Sequence, residues 1–442
     1  MREMKDSGIE WIGLAPISWD YIAIKYLVKS RLGGSWGNDV VADNDEYNRV
    51  CMRIADFDFI KLKFKENGNY TIRRYSKQDI EAKTLCYGDL LIEKSGGGEK
   101  TPVGRVVVYR LSDENLYANF MERIRLNEKL CTFEFAKYFF YSLYSQGFTR
   151  FYYNQTTGIQ NLNIERYFRE IKVPLLPLNI QQQIADYLDT QCSEIDATAE
   201  DIQKEISLLE DYKKSVITEA VTKGLNPDAE MKDSGIEWIG EIPINWQAVN
   251  PRWLFAQRKD RAKKGMEQYT ASQKYGVISQ KDYMNRIGGS IVTVQKDFDI
   301  LKMVCKGDFV IHMRSFQGGL EYSEHTGSIS SAYVMLIPKK NTGECRYFKW
   351  LFKSASYINA LQSTSNLIRD GQAMRYSNFI QIIIPYPPLD EQQQIADYLD
   401  TKCSEIDAII ADKKRQRGIL AEYKKSLIYE YVTGKKEVPV HE

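Results

Sequence analysis

The sequence predicts an α+β protein: two mixed α/β domains separated by a long antiparallel two-helix coiled coil, with an internal pseudo-two-fold repeat. Two observations predict this fold class. The segment QQQIADYLDT at 181–190 returns unchanged at 392–401, and MKDSGIEWIG at 4–13 returns unchanged at 231–240. A chance identity of ten residues within one protein is negligible, and the regions between the repeats do not match. The chain is therefore a duplicated frame that carries two different inserts.

The length and composition fit a multi-domain protein. Of the 442 residues, 43% are hydrophobic and 12% aromatic, which supplies packed cores and excludes a disordered chain. No apolar run is long enough to span a membrane, and the N-terminal segment does not follow the pattern of a signal peptide. The seven scattered cysteines include no C-x-x-C pair, which favours reduced thiols over disulfides or a zinc site. We therefore expect a cytoplasmic protein.

The net charge is unevenly distributed along the chain. Residues 181–222 hold ten acids and three lysines, a net charge of −7, whereas residues 392–433 hold seven acids and seven bases. Because the whole chain carries +1, the remainder carries +8. A basic remainder favours an anionic partner.

The first repeated motif opens each insert. It continues as LAPISW in the first copy and as EIPINW in the second, so that Pro16 matches Pro243 and Trp19 matches Trp246. The motif recurs at an offset of 227 residues and the helix segment at an offset of 211, so the second insert is 16 residues shorter. We assign residues 1–180 and 225–391 to the two domains.

The second repeated segment opens a long helix in each copy. In the first copy no Pro or Gly occurs between Asn179 and Lys223, and apolar residues fall seven apart with further apolar residues four positions later. This pattern is typical of a coiled-coil seam. The alternative is a long core helix, but two matching copies offer each other a partner. We assign helices to 181–224 and 392–435, followed by a tail at 436–442. The predicted seam consists of Leu188, Ile195, Ile202, Leu209, Val216, Leu399, Ile406, Leu420 and Leu427.

Connectivity predicts that the two helices are antiparallel. The first helix leads to the second copy of the short motif and the second begins where the second insert ends, so inserts packed at the start of their own helices require opposite directions. Pairing residue 181 with residue 433 places Lys413, Lys414 and Arg417 opposite the acidic segment 196–201, which agrees with this direction. Each helix would span about 60 Å. By the same reasoning, the motif at 4–13 should lie near the end of the second helix.

The two inserts resemble each other as two versions of one domain. GDLLIEKS at 88–95 and GDFVIHMRS at 307–315 share a Gly-Asp turn and an apolar strand. GRVVVYR at 104–110 predicts a further strand, FEFAKYFFYSLYSQG at 133–147 an aromatic helix, and YFKWLFKSASYINAL at 347–361 the equivalent helix. Each insert closes with a Gly-containing polar turn, an Ile-rich strand and a proline run.

Polar and basic residues concentrate in a few segments of each insert, including 149–161, 252–265 and 365–378. Arg reads guanine, Asn and Gln read adenine, and Ser, Thr and Tyr bind phosphate, so such segments suit nucleic acid. The segment KLKFK at 61–65 would place its lysines on one face of a strand. For a single residue the alternative is ordinary solvated loop chemistry. The candidates for DNA contact are Lys61, Lys63, Lys94, Lys100, Arg105, Arg150, Tyr153, Asn154, Gln155, Thr157 and Gln160 in the first insert, and Arg258, Lys259, Arg261, His312, Arg314, Gln317, Arg369, Gln372, Arg375 and Tyr376 in the second.

Motifs for catalysis are missing from the sequence. SGGGEKTPVG at 95–104 resembles a phosphate-binding loop, but Glu99 separates Gly98 from Lys100 where a Walker motif requires Gly-Lys-Ser/Thr. The chain has three histidines, no pattern of metal ligands and no methyltransferase, nucleotide-binding or Ser-His-Asp motif. We expect a protein that recognises its partner and depends on other subunits for chemistry.

As a whole the chain resembles the specificity (S) subunits of type I restriction–modification systems. The resemblance rests on GIEWIG with the following Pro and Trp at each domain start, on GDLLI and GDFVI, and on PLPLNIQQQIADYLD and YPPLDEQQQIADYLD before the helices. The family pattern PP-x-x-EQ is kept at 387–392, whereas Asn179 and Ile180 replace the acidic pair in the first copy. The resemblance covers essentially the whole chain.

This resemblance implies that each target recognition domain reads one half of a bipartite, asymmetric site in the major groove of double-stranded DNA. The helix pair would set the spacing and dock two methyltransferase (M) subunits. S-adenosylmethionine, ATP and Mg are expected on partner subunits, including restriction (R) subunits, and no cofactor or catalysis is expected in this chain, which would act at the nucleoid of a bacterial or archaeal cell. The alternatives are a fused nuclease or methyltransferase, disfavoured by the missing motifs, and a coiled-coil adaptor without a DNA role, disfavoured by the basic, non-identical inserts.

Overall fold

The computed structural model describes residues 3–43, 45–66, 68–156, 158–288, 300–340, 342–364 and 374–439, with Thr156 by its backbone alone. The predicted DNA contacts Thr157, Arg369 and Gln372 lie outside the described residues. The described chain combines short strands with two helices of 46 and 44 residues, as the α+β prediction requires.

The first half of the chain ends in the first long helix. Its 3₁₀ turns span Ile54–Asp56 and Phe148–Tyr152. Its elements are β1 (Met4–Asp6), β2 (Leu14–Pro16), β3 (Asp20–Ala23), α1 (Ile24–Leu27), β4 (Val28–Gly33), β5 (Asn48–Met52), β6 (Phe57–Asp58), β7 (Lys63–Phe64), β8 (Thr71–Arg74), α2 (Lys77–Lys83), β9 (Leu90–Glu93), β10 (Val106–Val108), β11 (Leu116–Tyr117), β12 (Met121–Leu126), α3 (Phe133–Ser145), β13 (Tyr153–Thr156), β14 (Ile159–Leu162), α4 (Ile164–Glu170), β15 (Lys172–Leu175) and α5 (Leu178–Lys223).

The second half repeats this plan with shorter strands and ends in the second long helix. A 3₁₀ turn spans Pro251–Trp253. The elements are β16 (Met231–Asp233), β17 (Glu241–Pro243), β18 (Gln247–Val249), β19 (Phe255–Gln257), β20 (Tyr269–Ser272), β21 (Gly276–Ser279), α6 (Gln280–Ile287), β22 (Lys302–Val304), β23 (Phe309–Ile311), α7 (Ser315–Gly318), β24 (Glu321–Tyr322), β25 (Gly327–Ile329), β26 (Val334–Pro338), α8 (Cys345–Leu351), α9 (Ala355–Ser363), α10 (Tyr376–Phe379), β27 (Ile384–Tyr386) and α11 (Leu389–Val432).

The chain divides into two compact units, and each unit contains part of both long helices. Unit 1 comprises residues 1–203 and 415–442, and unit 2 comprises residues 204–414. Both helices begin three residues before their predicted starts, at Leu178 and Leu389. The division of the chain into two inserts, two helices and a tail stays a prediction. In the structure, each insert forms one compact unit with one end of α5 and the opposite end of α11.

Unit 1 is built on a mixed six-stranded sheet in the order β4-β12-β9-β10-β7-β6. The strand β9 follows the Gly-Asp turn, in which Gly88 takes a positive φ of 89°, a conformation that glycine adopts at no steric cost. All four residues of β9 and all three of β10 are buried, which explains the apolar runs at 90–92 and 106–108. The aromatic helix α3 packs on β10, and Thr132 caps its first turn by accepting from Phe135 N.

Unit 2 has a smaller antiparallel sheet in the order β19-β26-β23-β24, again with a Gly-Asp turn, Gly307 at φ 94°, ahead of its central strand β23. The single helix predicted over 347–361 is wrong. The segment forms two helices, α8 and α9. The first helix ends at Phe352, and Ser354 caps the second by accepting from Tyr357 N (3.3 Å). The carbonyl of Phe352 instead accepts from Leu320 N (3.3 Å).

A buried glutamine joins each insert to the start of its helix. Gln181 and Gln392 are 1% and 0% exposed and occupy matching positions in the two copies of QQQIADYLDT. Each side chain donates to a backbone carbonyl just ahead of the helix (2.8 Å) and accepts from the N–H of Thr132 or Glu344 (2.9 Å). The first glutamine of the repeat therefore anchors the insert.

The acidic end of the same repeat has a similar role. Asp189 accepts from the hydroxyl of Tyr138 on α3. Asp400, its counterpart, accepts from the indole of Trp350 on α8 (2.9 Å) and from Arg346 (3.2 Å). Each insert thus places its aromatic helix against the start of its own long helix.

The short motif closes each unit at the far end of a helix, as the cyclic argument predicts. In unit 1, Lys435 and Tyr429 at the end of α11 donate to the carbonyl of Ile12 (2.7 and 3.2 Å). A Cβ on Gly434 would lie 2.6 Å from the ring of Trp19. In unit 2, a Cβ on Gly224 at the end of α5 would lie 3.2 Å from Trp246. The prediction for the motif at 4–13 is therefore confirmed within unit 1.

The helices are antiparallel in each unit, but the predicted register is wrong. The partner of Asp196 is Lys424 (2.7 Å), six residues beyond position 418, which pairing 181 with 433 requires. The rings of Tyr187 and Tyr431 pack with centroids 4.6 Å apart, so side-chain packing sets the register and the helix ends do not. In unit 2, Lys413 consequently pairs with Glu205 (2.5 Å) rather than with the 196–201 segment.

The predicted seam residues face inward to different degrees. Leu188, Val216, Leu399, Ile406 and Leu427 are buried. The remaining four are half-buried: Ile195, Ile202, Leu209 and Leu420. Burial is therefore greatest where the insert cores join the helix pair.

Candidate nucleic-acid interface

In unit 1, a hairpin and a glycine-rich loop form one surface, which we call surface 1: the loop 94–104, the 3₁₀ turn Phe148–Tyr152 and the hairpin β13–β14. The loop and the hairpin are hydrogen-bonded to each other. Leu162 N donates to Lys94 O (2.8 Å), Gly96 N donates to Gln160 O (3.1 Å), and the hydroxyl of Ser95 donates to Asn161 Oδ1 (2.6 Å). The near-miss to a phosphate loop is thus a scaffold for the hairpin.

Several predicted contacts of unit 1 lie exposed on surface 1. The guanidinium of Arg150 stacks on the exposed ring of Phe151 at 4.9 Å. Asn154 and Gln155 are exposed on β13, where Gln155 pairs in register with Gln160. The set of predicted residues that this surface brings together is Lys94, Lys100, Arg150, Tyr153, Asn154 and Gln155.

Two predicted DNA contacts of the first insert are instead engaged inside unit 1. Gln160 is 1% exposed, and its side chain accepts from Val103 N (3.1 Å). Arg105 makes two hydrogen bonds to Glu93 (2.8 and 3.1 Å), a carboxylate that is 2% exposed. Burial raises the pKa of Glu93 above its ordinary value and Arg105 opposes that shift. The burial of Gln160 corrects the prediction that it contacts DNA directly, whereas a direct contact by Arg105, whose side chain is 20% exposed, stays a prediction.

The lysines of KLKFK do not form an open basic strand. The strand β7 is limited to Lys63–Phe64. Lys61 pairs with Glu200 of α5 (3.0 Å), which raises the pKa of Lys61, and Lys63 pairs with Glu66 (2.5 Å). Acids within unit 1 therefore neutralise both predicted phosphate contacts.

In unit 2, Arg258, a predicted DNA contact, binds the aspartate of the Gly-Asp turn. Arg258 makes two hydrogen bonds to Asp308 (2.7 and 2.8 Å), which is 1% exposed. Hydrogen bonding to Asp308 holds the pKa of Arg258 above its ordinary value. In unit 1 the matching Asp89 binds Arg125 in the same way (2.7 and 2.8 Å). The prediction that Arg258 contacts DNA is therefore corrected to a role inside the fold.

The segment after β23 forms the candidate surface of unit 2, which we call surface 2: residues 312–319 with α7, and Arg375. Arg314 and Gln317 are exposed. The side chain of Gln273 donates to Arg314 O (3.1 Å) and so stabilises the turn. The sequence did not predict this role of Gln273, because the residue lies 41 positions from Arg314. His312 is 5% exposed, with its Nε2 3.6 Å from a carboxylate oxygen of Glu321. The prediction of direct DNA contact is corrected for His312.

The remaining candidates of the second insert differ in accessibility. Lys259, Arg261 and Arg375 are exposed, and Arg261 also donates to Ile300 O (3.1 Å). The phenol of Tyr376 donates to Phe255 O (3.0 Å), and burial raises its pKa. Tyr376 is thus engaged within unit 2 and half-buried, and its contact with DNA stays a prediction.

The sequence also did not predict that some large apolar side chains are exposed. Phe120 and Ile159 are 50% and 49% exposed, and the backbone carbonyl of Phe120 accepts from Lys94 N at the start of the glycine-rich loop (2.9 Å). No periodic pattern marks such residues, because a single exposed aromatic side chain resembles a core residue in sequence. Apolar groups of this kind contact thymine methyl groups or stack on sugars and bases.

The described residues hold no group of three or more His, Cys, Asp or Glu side chains suited to a metal ion. In the same part of the chain, none of the helices combines the length and apolar character that a membrane span requires.

The chain matches a known family along most of its length. The family described as type I restriction modification DNA specificity domain matches residues 52–208 and 243–416. The chain is 23% identical to the putative type I restriction enzyme MjaX specificity subunit of Methanocaldococcus jannaschii over 97% of its own length and 96% of that of the relative. It is 27% identical to the type I restriction enzyme MjaVIII specificity subunit of the same organism, over 68% of its own length and 70% of that of the relative.

The fold also matches a solved structure described as the structural basis of complex assembly and conformational transition of a type I R-M system. The TM-score is 0.67 at 14% identity, with 96% of this chain and 99% of that chain covered, a likeness that concerns the fold alone. Because the family match spans well over half of the residues, the chain belongs to the family of type I restriction–modification DNA specificity domains, which is the family of the specificity subunits.

Proposed function

We propose that each unit of this specificity subunit reads one half of a bipartite, asymmetric site in double-stranded DNA. The observation that carries this proposal is the contrast between identical anchors and different surfaces. Gln181 and Gln392 hold the two inserts in the same way, yet surface 1 is a hairpin with a glycine-rich loop and surface 2 is a turn with a short helix. Two different readers on a repeated frame suit two different half-sites.

The exposed side chains of the two surfaces have the chemistry of base readers. Surface 1 presents Arg150, Asn154 and Gln155, and surface 2 presents Arg314 and Arg375. Arginine donates to two acceptors of guanine, and amides donate to and accept from adenine, both in the major groove. Exposed lysines near these groups, such as Lys100, suit the phosphate backbone and give salt-dependent affinity.

Selection from a pool of random DNA duplexes tests the proposal. The full chain, purified with its modification subunits, should enrich two short sequences separated by a gap of fixed length and unrestricted sequence. A single contiguous motif would contradict the two-reader arrangement, and the absence of any preference would favour the adaptor alternative. Methylation of DNA by the lone chain would contradict the proposal that it is non-catalytic and that S-adenosylmethionine, ATP and Mg belong to partner subunits.

We further propose that the long helices dock two copies of one methyltransferase (M) subunit, to which R subunits add in the full complex. The helices carry exposed apolar side chains at repeated positions: Leu208 and Tyr212 are 68% and 50% exposed, and Ile419 and Tyr423, their counterparts at the offset of 211, are 61% and 51% exposed. Repeated exposure of large apolar groups is typical of interaction sites. The same pair in each unit supports two equivalent copies of a partner.

Stoichiometry tests this docking. Combined L208A and Y212A substitutions should remove one copy of the M subunit from the assembly, as measured by native mass, because truncation of large apolar residues at the centre of an interface costs most of its affinity. Combined I419A and Y423A substitutions should remove the other copy. Retention of both copies by both variants would contradict docking at these residues.

A further inference from the structure

A buried ionisable residue lies at the end of the central strand in each unit: Glu93 is the last residue of β9, and His312 directly follows β23. Counted from the glycine of the Gly-Asp turn, Glu93 and His312 occupy the same position, five residues after Gly88 and Gly307. Their side chains are 2% and 5% exposed. Each is followed at once by the loop of its own surface, and apart from a basic residue and a serine these loops differ in sequence. The side chain at this equivalent position is therefore a carboxylate in unit 1 and an imidazole in unit 2.

In unit 1, Glu93 clamps both ends of the glycine-rich loop. Its side chain binds the guanidinium of Arg105 with two hydrogen bonds (2.8 and 3.1 Å), and its backbone exchanges hydrogen bonds with Gly104 and Arg105 (3.0 and 2.9 Å). A Cβ on Gly104 would lie 2.8 Å from the side chain of Thr149, the neighbour of Arg150. The ion pair thus fixes the distance between the loop and the turn that carries Arg150.

In unit 2, His312 holds the turn that carries Arg314. Its Nδ1 accepts from Arg314 N (3.4 Å), and its backbone N–H donates to the hydroxyl of Ser315 (2.9 Å), whose own N–H donates back to the His312 carbonyl (3.0 Å). Its other ring nitrogen, Nε2, lies 3.6 Å from a carboxylate oxygen of Glu321. Glu321 in turn accepts from Lys353, which also donates to Gly318 O (2.9 Å) at the end of the same turn.

We propose that Glu93 and His312 are positioning residues: each fixes the loop that follows it and thereby sets the base preference of its own half-site without touching DNA. This inference rests on the proposed function, because it needs one reader in each unit. Both residues act through the exposed side chains beyond them.

In unit 1, the double substitution E93Q/R105Q tests the inference. It removes the ion pair and leaves no uncompensated buried charge, which a single substitution would create. Binding is measured with the full chain and its modification subunits, on duplexes that carry the selected site or one mismatch in either half-site. We expect discrimination against mismatches in the half-site of unit 1 to fall about tenfold, since a misplaced bidentate contact no longer distinguishes the correct base. Discrimination in the other half-site should stay unchanged. E128Q, at an exposed carboxylate between β12 and α3, is the matched control and should change neither.

In unit 2, two amide substitutions separate positioning from packing. In H312N the amide oxygen can take the place of Nδ1 and accept from Arg314 N, whereas in H312Q the amide reaches the place of Nε2 and leaves that N–H unpaired. We expect H312N to keep the discrimination of the wild-type chain within about twofold and H312Q to lose about tenfold in the half-site of unit 2 alone. This pair also decides the inference if E93Q/R105Q does not fold.

The outcomes distinguish this inference from the proposed function. A loss of discrimination that is confined to one half-site, together with wild-type discrimination in H312N, supports the positioning role. Unchanged discrimination in folded variants, an equal effect of H312N and H312Q, or a uniform loss of affinity on all duplexes overturns it while the two-reader proposal stands. A wild-type complex without sequence preference overturns the proposed function itself.

Discussion

The two units are alike where they hold the long helices and unlike where they face outward. Trp11 donates to Lys172 O (2.8 Å) in unit 1 and Trp238 donates to Ile383 O (3.0 Å) in unit 2, and both pairs follow the offsets of the repeat. The Gly-Asp turns are also held alike, yet the arginine that binds the aspartate comes from β12 in unit 1 and from the end of β19 in unit 2. Anchoring geometry has thus been kept while the residues that achieve it, and the surfaces beyond, have diverged.

One difference between the copies follows directly from a single departure in the repeat. In unit 2, the indole of Trp246 donates to Glu391 (2.7 Å), whereas Ile180, which has no acceptor in its side chain, occupies the matching position in unit 1. The frame therefore tolerates the loss of one anchor because several others remain.

The largest difference is expected at the Gly-Asp turns. D308N should cost about 3–5 kcal/mol of unfolding free energy, because it removes the charged partner of a largely buried arginine. D89N should cost less, since the side chain of Arg125 is 32% exposed against 12% for Arg258. Denaturant unfolding of the full chain measures both, with E128Q as a control. Equal costs would show that arginine burial does not decide the energy of the turn.

The next largest difference concerns the glycines that end the helices. Gly224 and Gly434 have φ angles of 80° and 74°, so alanine at either position costs about 1–2 kcal/mol in backbone strain. G434A should cost more than G224A, because its Cβ would lie 2.6 Å from Trp19 whereas that of G224A would lie 3.2 Å from Trp246. Thermal denaturation compares the two variants. A larger loss for G224A would contradict the packing of the short motif against α11.

A base reader should affect one half-site alone. R375A should cost about 1–3 kcal/mol of binding free energy on the selected site and relax the preference at one position in the half-site of unit 2. R150A should do the same in the half-site of unit 1. Selection from random duplexes by each variant complex measures both effects. If R375A left the whole recognised sequence unchanged, Arg375 would not be a reader.

The smallest difference is expected between two matching ion pairs of the helices. Lys213–Asp407 has side chains 23% and 60% exposed, whereas its counterpart Lys424–Asp196 has side chains 8% and 13% exposed. A double-mutant cycle with K213M and D407N should give a coupling of about 0.2–1 kcal/mol that falls with salt. The cycle with K424M and D196N should give a larger coupling with weaker salt dependence. Equal couplings would contradict the difference in burial.

The fold was more predictable from the sequence than the site. The repeats and the connectivity between them predicted the two-domain plan, the antiparallel helices and the position of the short motif, since matching segments occupy matching places in the two units. The predicted register was wrong: Tyr431 packs on Tyr187 four residues beyond the predicted position, and Lys424 pairs with Asp196 six residues beyond it. This packing leaves no periodic mark in either helix. The break at Phe352 was missed because it depends on Leu320, 32 positions away.

The site was less predictable because a basic residue that binds DNA and one that binds a buried acid look alike in sequence. Arg105 and Arg258 are engaged by Glu93 and Asp308, which lie 12 and 50 positions away. Gln160 was assigned to DNA for its amide, which bonds to Val103. The sequence around exposed candidates such as Arg150 and Arg314 has the same polar and basic composition. Only the three-dimensional contacts of each arginine show whether it is exposed or binds a buried acid.

The central claim is that two different readers are held by one repeated frame, and an exchange of inserts tests it most directly. A chain in which residues 20–173 also replace residues 247–384 joins matching strands, because β3 corresponds to β18 and β15 to β27. Assembled with the modification subunits, it should select a symmetric DNA site in which both half-sites equal the half-site of unit 1. Retention of the original asymmetric site, or of a half-site unrelated to that of unit 1, would contradict the account.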